Sequence, residues 1–186
     1  MTVTGLLLAA GEGLRFGGPK ALARDDEGRV WVRLRAQTLL DAGCSPVVVV
    51  TGAAADEVAA AVDGLGVDVV HAGAWAEGMG ASLRAGLDAV AVLKDAPDAV
   101  LVALVDTPGL TADVVARLAS RASDDALVQA CYDGDPGHPV LIGRRHWAGV
   151  RVVAVGDRGA RDYLRSHEVE LVECGDVGHG GDVDER

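Results

Sequence analysis

Short apolar runs alternate with longer stretches of mixed character along this chain, and that alternation sets the class of fold before any motif is considered. Residues 3–9, 46–51, 67–71, 99–105 and 126–132 are rich in Val, Leu and Ala with few polar interruptions. Such runs predict strands buried on both faces. Between them, residues 31–42, 56–62, 82–93 and 111–121 show helical spacing and good helix formers, and a further short helix is predicted over 160–167. Strand alternating with helix implies right-handed crossovers and a mostly parallel sheet covered on both faces, a three-layer α/β/α, Rossmann-like arrangement. Ligands bind such sheets at the carboxyl ends of the strands. At 186 residues and 49% hydrophobic, the chain predicts one domain over 1–186 with one sizeable core. The tail from Gly175 onward reads as poorly structured.

The first apolar run leads into Leu7-Leu8-Ala9-Ala10-Gly11-Glu12-Gly13-Leu14-Arg15-Phe16-Gly17-Gly18-Pro19-Lys20. Backbone N–H groups of a glycine-rich turn can point at an anion, glycine permits the positive φ this needs, and Arg15 and Lys20 add mobile positive charge. The bland alternative is a glycine turn after a strand. A P-loop would follow Gly-Lys with Ser or Thr, whereas Pro19 separates Gly18 from Lys20 and Ala21 follows. A dinucleotide fingerprint would place glycine where Phe16 stands and begin its helix at once. Neither pattern fits.

The fourth run ends in Asp106-Thr107-Pro108, placing a carboxylate at the mouth of the sheet. Burying it unpaired would be costly, so it faces solvent or a cation. Mg²⁺ bridging nucleotide phosphates suits it, since that ion takes one or two carboxylates plus phosphate oxygens. A cap for the helix starting near Thr111 is the competing role. In the segment Trp75 to Leu87, Ser82 is a candidate N-cap, and the glycines before it allow close approach of backbone to a ligand. Gly137-His138-Pro139-Val140-Leu141-Ile142 and Gly156-Asp157-Arg158-Gly159-Ala160-Arg161 read as loops. His138 beside Pro139 sits in a constrained turn suited to ligand contact or to a structural role, and Arg158 and Arg161 can neutralise a phosphate.

Together the Leu-Ala-Ala-Gly run, Arg15 and Lys20 resemble the signature of nucleotidyltransferases that activate a phosphorylated acceptor with an NTP, above all the molybdenum cofactor cytidylyltransferases and their MobA-like relatives. The resemblance implies a nucleotidyltransferase fold, Mg²⁺ on Asp106, and nucleotide contacts from Leu8, Ala9, Ala10, Gly11, Glu12, Gly13, Gly80 and Ser82. It also implies acceptor contacts from His138, Pro139 and Arg158. Ala10, where guanylyl-transferring relatives tend to carry Gly, favours CTP. The implied reaction is transfer of CMP to molybdopterin carrying molybdenum, with pyrophosphate released and with transient contact to molybdoenzyme maturation proteins. Arg15 and Lys20 would neutralise the triphosphate and the departing pyrophosphate.

This sequence departs from the family pattern in two places. Residues 25–31 replace the usual short hairpin, and the Thr-Pro step and helix expected after Asp-x-Asp are missing from Asp182-Val183-Asp184. Asp182 is the candidate second metal carboxylate, with a solvated acidic terminus as the alternative. Other acceptors, such as a sugar or polyol phosphate, and a non-catalytic nucleotide-binding module stay open.

Charge and cysteine usage narrow the partners. A net charge of −11 argues against nucleic acid or an anionic membrane surface. No apolar run reaches the ~20 residues of a bilayer span, and Met1-Thr2-Val3-Thr4 lacks a basic leader, so the expected location is cytoplasmic. Cys44, Cys131 and Cys174 lie far apart and fit buried reduced thiols.

Overall fold

The computed structural model describes residues 1–183. Among them one seven-stranded sheet has the order β3-β2-β1-β4-β6-β5-β7. The strands are β1 (Val3–Ala9), β2 (Val47–Thr51), β3 (Asp68–His71), β4 (Ala99–Leu104), β5 (Leu127–Tyr132), β6 (Asp135–Gly143) and β7 (Glu170–Glu173). The helices are α1 (Trp31–Asp41), α2 (Ala55–Val62), α3 (Met79–Ala91), α4 (Ala112–Ala119), α5 (Trp147–Val153) and α6 (Arg161–Arg165). All strand pairs are parallel except those of β6, which runs antiparallel to both β4 and β5.

Period-two alternation within the apolar runs divides the core into the two expected layers. Leu7, Val49 and Leu101 face one side with Leu39 of α1, Val58 of α2 and Leu118 of α4. Leu6, Val50 and Val102 face the other with Leu87 of α3, Val150 of α5 and Leu164 of α6. Every residue of β1 and β2 is buried, which is why these strands read as continuous rather than alternating. Gly5 and Gly86 mark close contacts between sheet and helix: a Cβ at Gly5 would lie 3.2 Å from Leu39 and Cys44, and one at Gly86 2.6 Å from Leu6.

The stretch after β5, which reads as a loop in sequence, is a strand. Asp133 (φ 54°) and Gly134 (φ 85°) form a two-residue turn, and the chain returns along β5 as β6, with Tyr132 opposite Asp135. An Asp-Gly pair with both residues at positive φ matches the right-handed strand twist and closes a hairpin. His138 and Pro139 therefore belong to a strand, joined by a cis peptide bond. The departure at residues 25–31 also folds as a hairpin, since Arg24 bridges Val30 antiparallel and the Asp25 carboxylate holds Arg29.

Residues 175–183, which read as poorly structured, are tied along the α4 side of the sheet. Arg117 of α4 donates to both oxygens of Asp176 (2.6 and 2.8 Å) and to the Glu173 carbonyl. The Glu173 carboxylate accepts N–H bonds from Asp133, Gly134 and Gly175. Thr111 donates its hydroxyl to the Val177 carbonyl, and the Val183 N–H reaches the Asp106 carbonyl. Asp184 lies outside the described residues.

Candidate active site

β1 and β4 are adjacent, but the chain leaves β1 toward β2 on one side and returns to β4 on the other, so their carboxyl ends open a crevice. The glycine-rich loop fills the β1 side. Ala10 is buried beneath it, and Gly52 packs so closely that a Cβ there would lie 2.4 Å from the Ala10 carbonyl oxygen. Gly13 (φ 65°) turns the loop back on itself. Its carbonyl accepts the N–H groups of Phe16, Gly17 and Gly18, each at 3.0 Å, and a Cβ at Gly13 would collide with the Gly18 carbonyl.

That geometry narrows the expected cradle. The N–H groups of the second half of the loop are committed to Gly13, whereas those of residues 11–15 have no hydrogen-bond partner among the described residues. Gly11, Glu12 and Arg15 are exposed. Phe16 anchors the far end, buried against Trp31 with ring centroids 5.5 Å apart. A short 3₁₀ turn at Lys20–Leu22, with Ala21 buried, then fixes Lys20. Its Nζ lies 2.8 Å from Asp106 Oδ2 just past the end of β4, and both side chains are mostly shielded from solvent.

The N-cap of α4 is Thr111, whose hydroxyl accepts the Val114 N–H at 3.2 Å, so the capping role open to Asp106 belongs to another residue. Ser82 is likewise not an N-cap. α3 begins at Met79 after Gly78 (φ 110°), and Ser82 is buried in its first turn. Gly80 is glycine for packing: a Cβ there would lie 2.5 Å from the Ala154 carbonyl oxygen.

Beside the Lys20–Asp106 pair lies a cavity of about 630 Å³, within the range typical of small-molecule sites. Leu8, His138, Arg158 and Asp182 line it, so the described tail brings Asp182 to the same wall as Thr107 and His138. Pro139 is buried in β6 and is not part of the lining; nor are Gly80 and Ser82. Arg158 is exposed and paired with Asp162 at 2.9 Å. Desolvation holds the His138 pKa below its ordinary value, against the opposing pull of Asp106 and Asp182 and with Arg161 reinforcing it. The Tyr132 hydroxyl, pushed up to about 12 first by burial, donates to the His138 carbonyl at 2.8 Å.

Sequence reasoning missed Gln129 and Arg165, which also line the cavity. Gln129 had a signal, as the polar residue inside Leu127-Val128-Gln129-Ala130-Cys131, whereas Arg165 had none. The three cysteines are buried and free. Burial raises the pKa of each, to about 11 for Cys44, which suits packing rather than nucleophilic chemistry. Among the described residues no helix is long and apolar enough to cross a membrane, and no group of three or more His, Cys, Asp or Glu side chains forms a metal cage.

The profile of the MobA-like NTP transferase domain matches residues 5–171. This chain belongs to that family. Nicotine blue oxidoreductase of Paenarthrobacter nicotinovorans is 41% identical over 192 residues, covering 98% of this chain and 92% of its own. The crystal structure of Rv0371c from Mycobacterium tuberculosis H37Rv superposes with a TM-score of 0.82 at 25% identity, over 94% of this chain and 88% of that one. Its complex with manganese gives a TM-score of 0.77 at 23% identity, over 94% and 89%. The MobA-like chain is thus a nucleotidyltransferase by family, with the three-layer Rossmann-like fold the alternation predicts.

Proposed function

We propose that this MobA-like protein transfers CMP from CTP to a phosphorylated acceptor held in the cavity, with the molybdopterin form of the molybdenum cofactor as the acceptor to test first. The observation that carries the reading is the Lys20–Asp106 contact at 2.8 Å, which sets a cation and a carboxylate at the mouth of β1 and β4 beside that cavity. The open N–H groups of residues 11–15, with Arg15 and Lys20, supply the positive field a triphosphate needs in a chain of net charge −11. Ala10 favours CTP by family pattern.

A phosphate oxygen of the acceptor attacks the α-phosphorus in line; a P–O bond forms, the α–β anhydride bond breaks, and pyrophosphate leaves with the electron pair. The acceptor phosphate is already ionised at neutral pH, so no side-chain nucleophile is needed. What the protein supplies is position and charge. Lys20 and Arg15 neutralise the triphosphate and the departing pyrophosphate, while Arg158 and His138 orient the acceptor. Two carboxylates at one crevice, Asp106 and Asp182, fit a hard divalent ion that completes its shell with phosphate oxygens and water. Mg²⁺ held there would supply charge neutralisation at the reacting centre.

Pyrophosphate release across a panel of NTPs and phosphorylated acceptors, with Mg²⁺ or Mn²⁺, tests the reading. Turnover restricted to CTP with molybdopterin supports it in full. Turnover with a sugar or polyol phosphate keeps the chemistry and replaces the acceptor, and no release from any pair ends it.

A second reading is carried by the 41% identity to nicotine blue oxidoreductase over nearly the whole chain. The same cavity would then take nicotine blue together with a reductant. Bleaching of nicotine blue with NADH or NADPH, measured on the same preparation, separates the two.

A further inference from the structure

The cavity combines an apolar floor with a charged rim on which Arg158, Arg161 and Arg165 outnumber Asp157 and Asp182. Val102, Val140 and Ile142 rise from the sheet, and Leu83 of α3 and Leu164 of α6 face them. A slot between a sheet and opposing helices suits a flat body. Arg161 and Arg165 at its edge are exposed and make no ion pair among the described residues, so an anionic substituent has cations to meet.

Gln129 of β5 enters this slot half-buried. Its Nε2 donates to the Gly137 carbonyl at 3.0 Å. A carbonyl oxygen can only accept, so this bond fixes the amide: Nε2 lies on Gly137 and Oε1 is turned away from it. Oε1 has no hydrogen-bond partner among the described residues. The His138 ring, next along β6, likewise makes no hydrogen bond among them. An acceptor oxygen in a half-buried, largely apolar slot discriminates strongly between ligands that do and do not offer it a donor, because the wrong ligand leaves it desolvated and unpaired.

We propose that Gln129 determines which acceptor is taken: Oε1 receives an N–H or O–H from the edge of a planar, anionic ring compound lying in the slot, while Nε2 holds the Gly137 carbonyl and with it the His138 end of β6. This rests on the cavity being the acceptor site of the proposed transfer, and it names the chemistry that acceptor must carry.

The test uses the full chain without nucleotide and two probes, 2-quinolone-4-carboxylate and its N-methyl derivative, titrated calorimetrically. The N–H compound is expected to bind about ten-fold more tightly than the N-methyl compound, the worth of one matched hydrogen bond. In Gln129→Met the ratio falls to near one. Equal affinities in the wild type, or no binding of either probe, overturn the proposal. A ratio that survives in Gln129→Met also overturns it, since shape alone then explains the preference. Gln129→Asn, whose shorter amide cannot reach both partners, is expected to lose the ratio as well and serves if the Met variant does not fold. A panel with no pyrophosphate release but an intact ratio would remove the transfer reading and leave the donor preference standing.

Discussion

Replacing Lys20 with Met separates a structural ion pair from a nucleotide contact. The pair is 2.8 Å long, with the side chains 17% and 19% exposed. Unit charges about 4 Å apart at an effective dielectric of about 20 attract by about 4 kcal/mol, most of which offsets the water both groups lost. The variant leaves Asp106 shielded without this cation, and the expected loss of stability is about 1–2 kcal/mol. Charge-assisted hydrogen bonds to phosphate contribute about 1.5–3 kcal/mol, so binding of CTP with Mg²⁺ should weaken by about 10- to 150-fold. The double variant Lys20→Met/Asp106→Asn removes both charges of the pair and should regain part of the stability, because the shielded Asp106 carboxylate no longer stands without its cation. It should regain none of the CTP binding. Denaturant midpoints and calorimetry on the wild type and these variants read the two quantities separately. Wild-type CTP affinity in Lys20→Met, or affinity that returns with stability in the double variant, would refute the nucleotide role.

Gly13→Ala forces a Cβ to within 1.9 Å of the Gly18 carbonyl at a φ of 65°, which costs about 1–3 kcal/mol or opens the turn; CTP binding should fall while far-ultraviolet circular dichroism stays native, and unaltered binding would show that the turn is not used. His138 is held below its usual value of 6.5 by desolvation, so as pH falls through that value the unfolded chain takes up a proton that the folded chain resists, and folding stability drops toward the lower folded-state pKa. His138→Asn should flatten thermal midpoints measured between about pH 7.5 and about pH 5 relative to wild type, and identical slopes would contradict the assignment. Arg117→Ala removes an exposed contact to Asp176 and should cost under about 1 kcal/mol globally, yet it should speed amide exchange across residues 175–183; unchanged exchange there would show that other contacts hold the tail.

The parallel half of the sheet was legible because burial on both faces leaves an unbroken apolar run. Val47 to Val50 carries that signature, and all four residues are buried. β7 was not legible, because three of its four residues, Glu170, Leu171 and Glu173, face solvent at an edge. β6 was concealed by Asp135-Pro136-Gly137, a turn-like opening to a strand whose buried part begins only at Pro139. The positions of the glycine-rich loop and of Asp106 at the mouth of the sheet could be read from sequence because each follows directly from a strand end. Gln129 and Arg165 in the cavity wall could not, since they come from β5 and α6, which no local spacing connects. Gly80 carries a packing reason that sequence could not show, since a Cβ there would meet the Ala154 carbonyl.

The two halves of the site have separate origins in the chain, and this decides how family membership bears on reaction. Arg15, Lys20 and Asp106 stand beyond the ends of β1 and β4, while much of the cavity wall proposed above to hold the acceptor comes from the β5–β6 hairpin, α6 and residues 175–183. Changes in the second half can redirect the acceptor without disturbing the first. A relative called an oxidoreductase at 41% identity is therefore compatible with the same scaffold. The two chemistries make different demands on it. Nucleotidyl transfer needs the cation and carboxylate at the crevice, because charge develops there on the α-phosphate and pyrophosphate. Hydride transfer to nicotine blue develops no such charge, so Lys20→Met would lower kcat for nucleotidyl transfer, whereas for reduction by NADH or NADPH, whose pyrophosphate Lys20 can hold, it would raise the KM for reductant and leave kcat near the wild-type value. A fall in both kcat values at saturating substrates would show instead that Lys20 shapes the cavity, and the division between donor and acceptor halves would have to be abandoned.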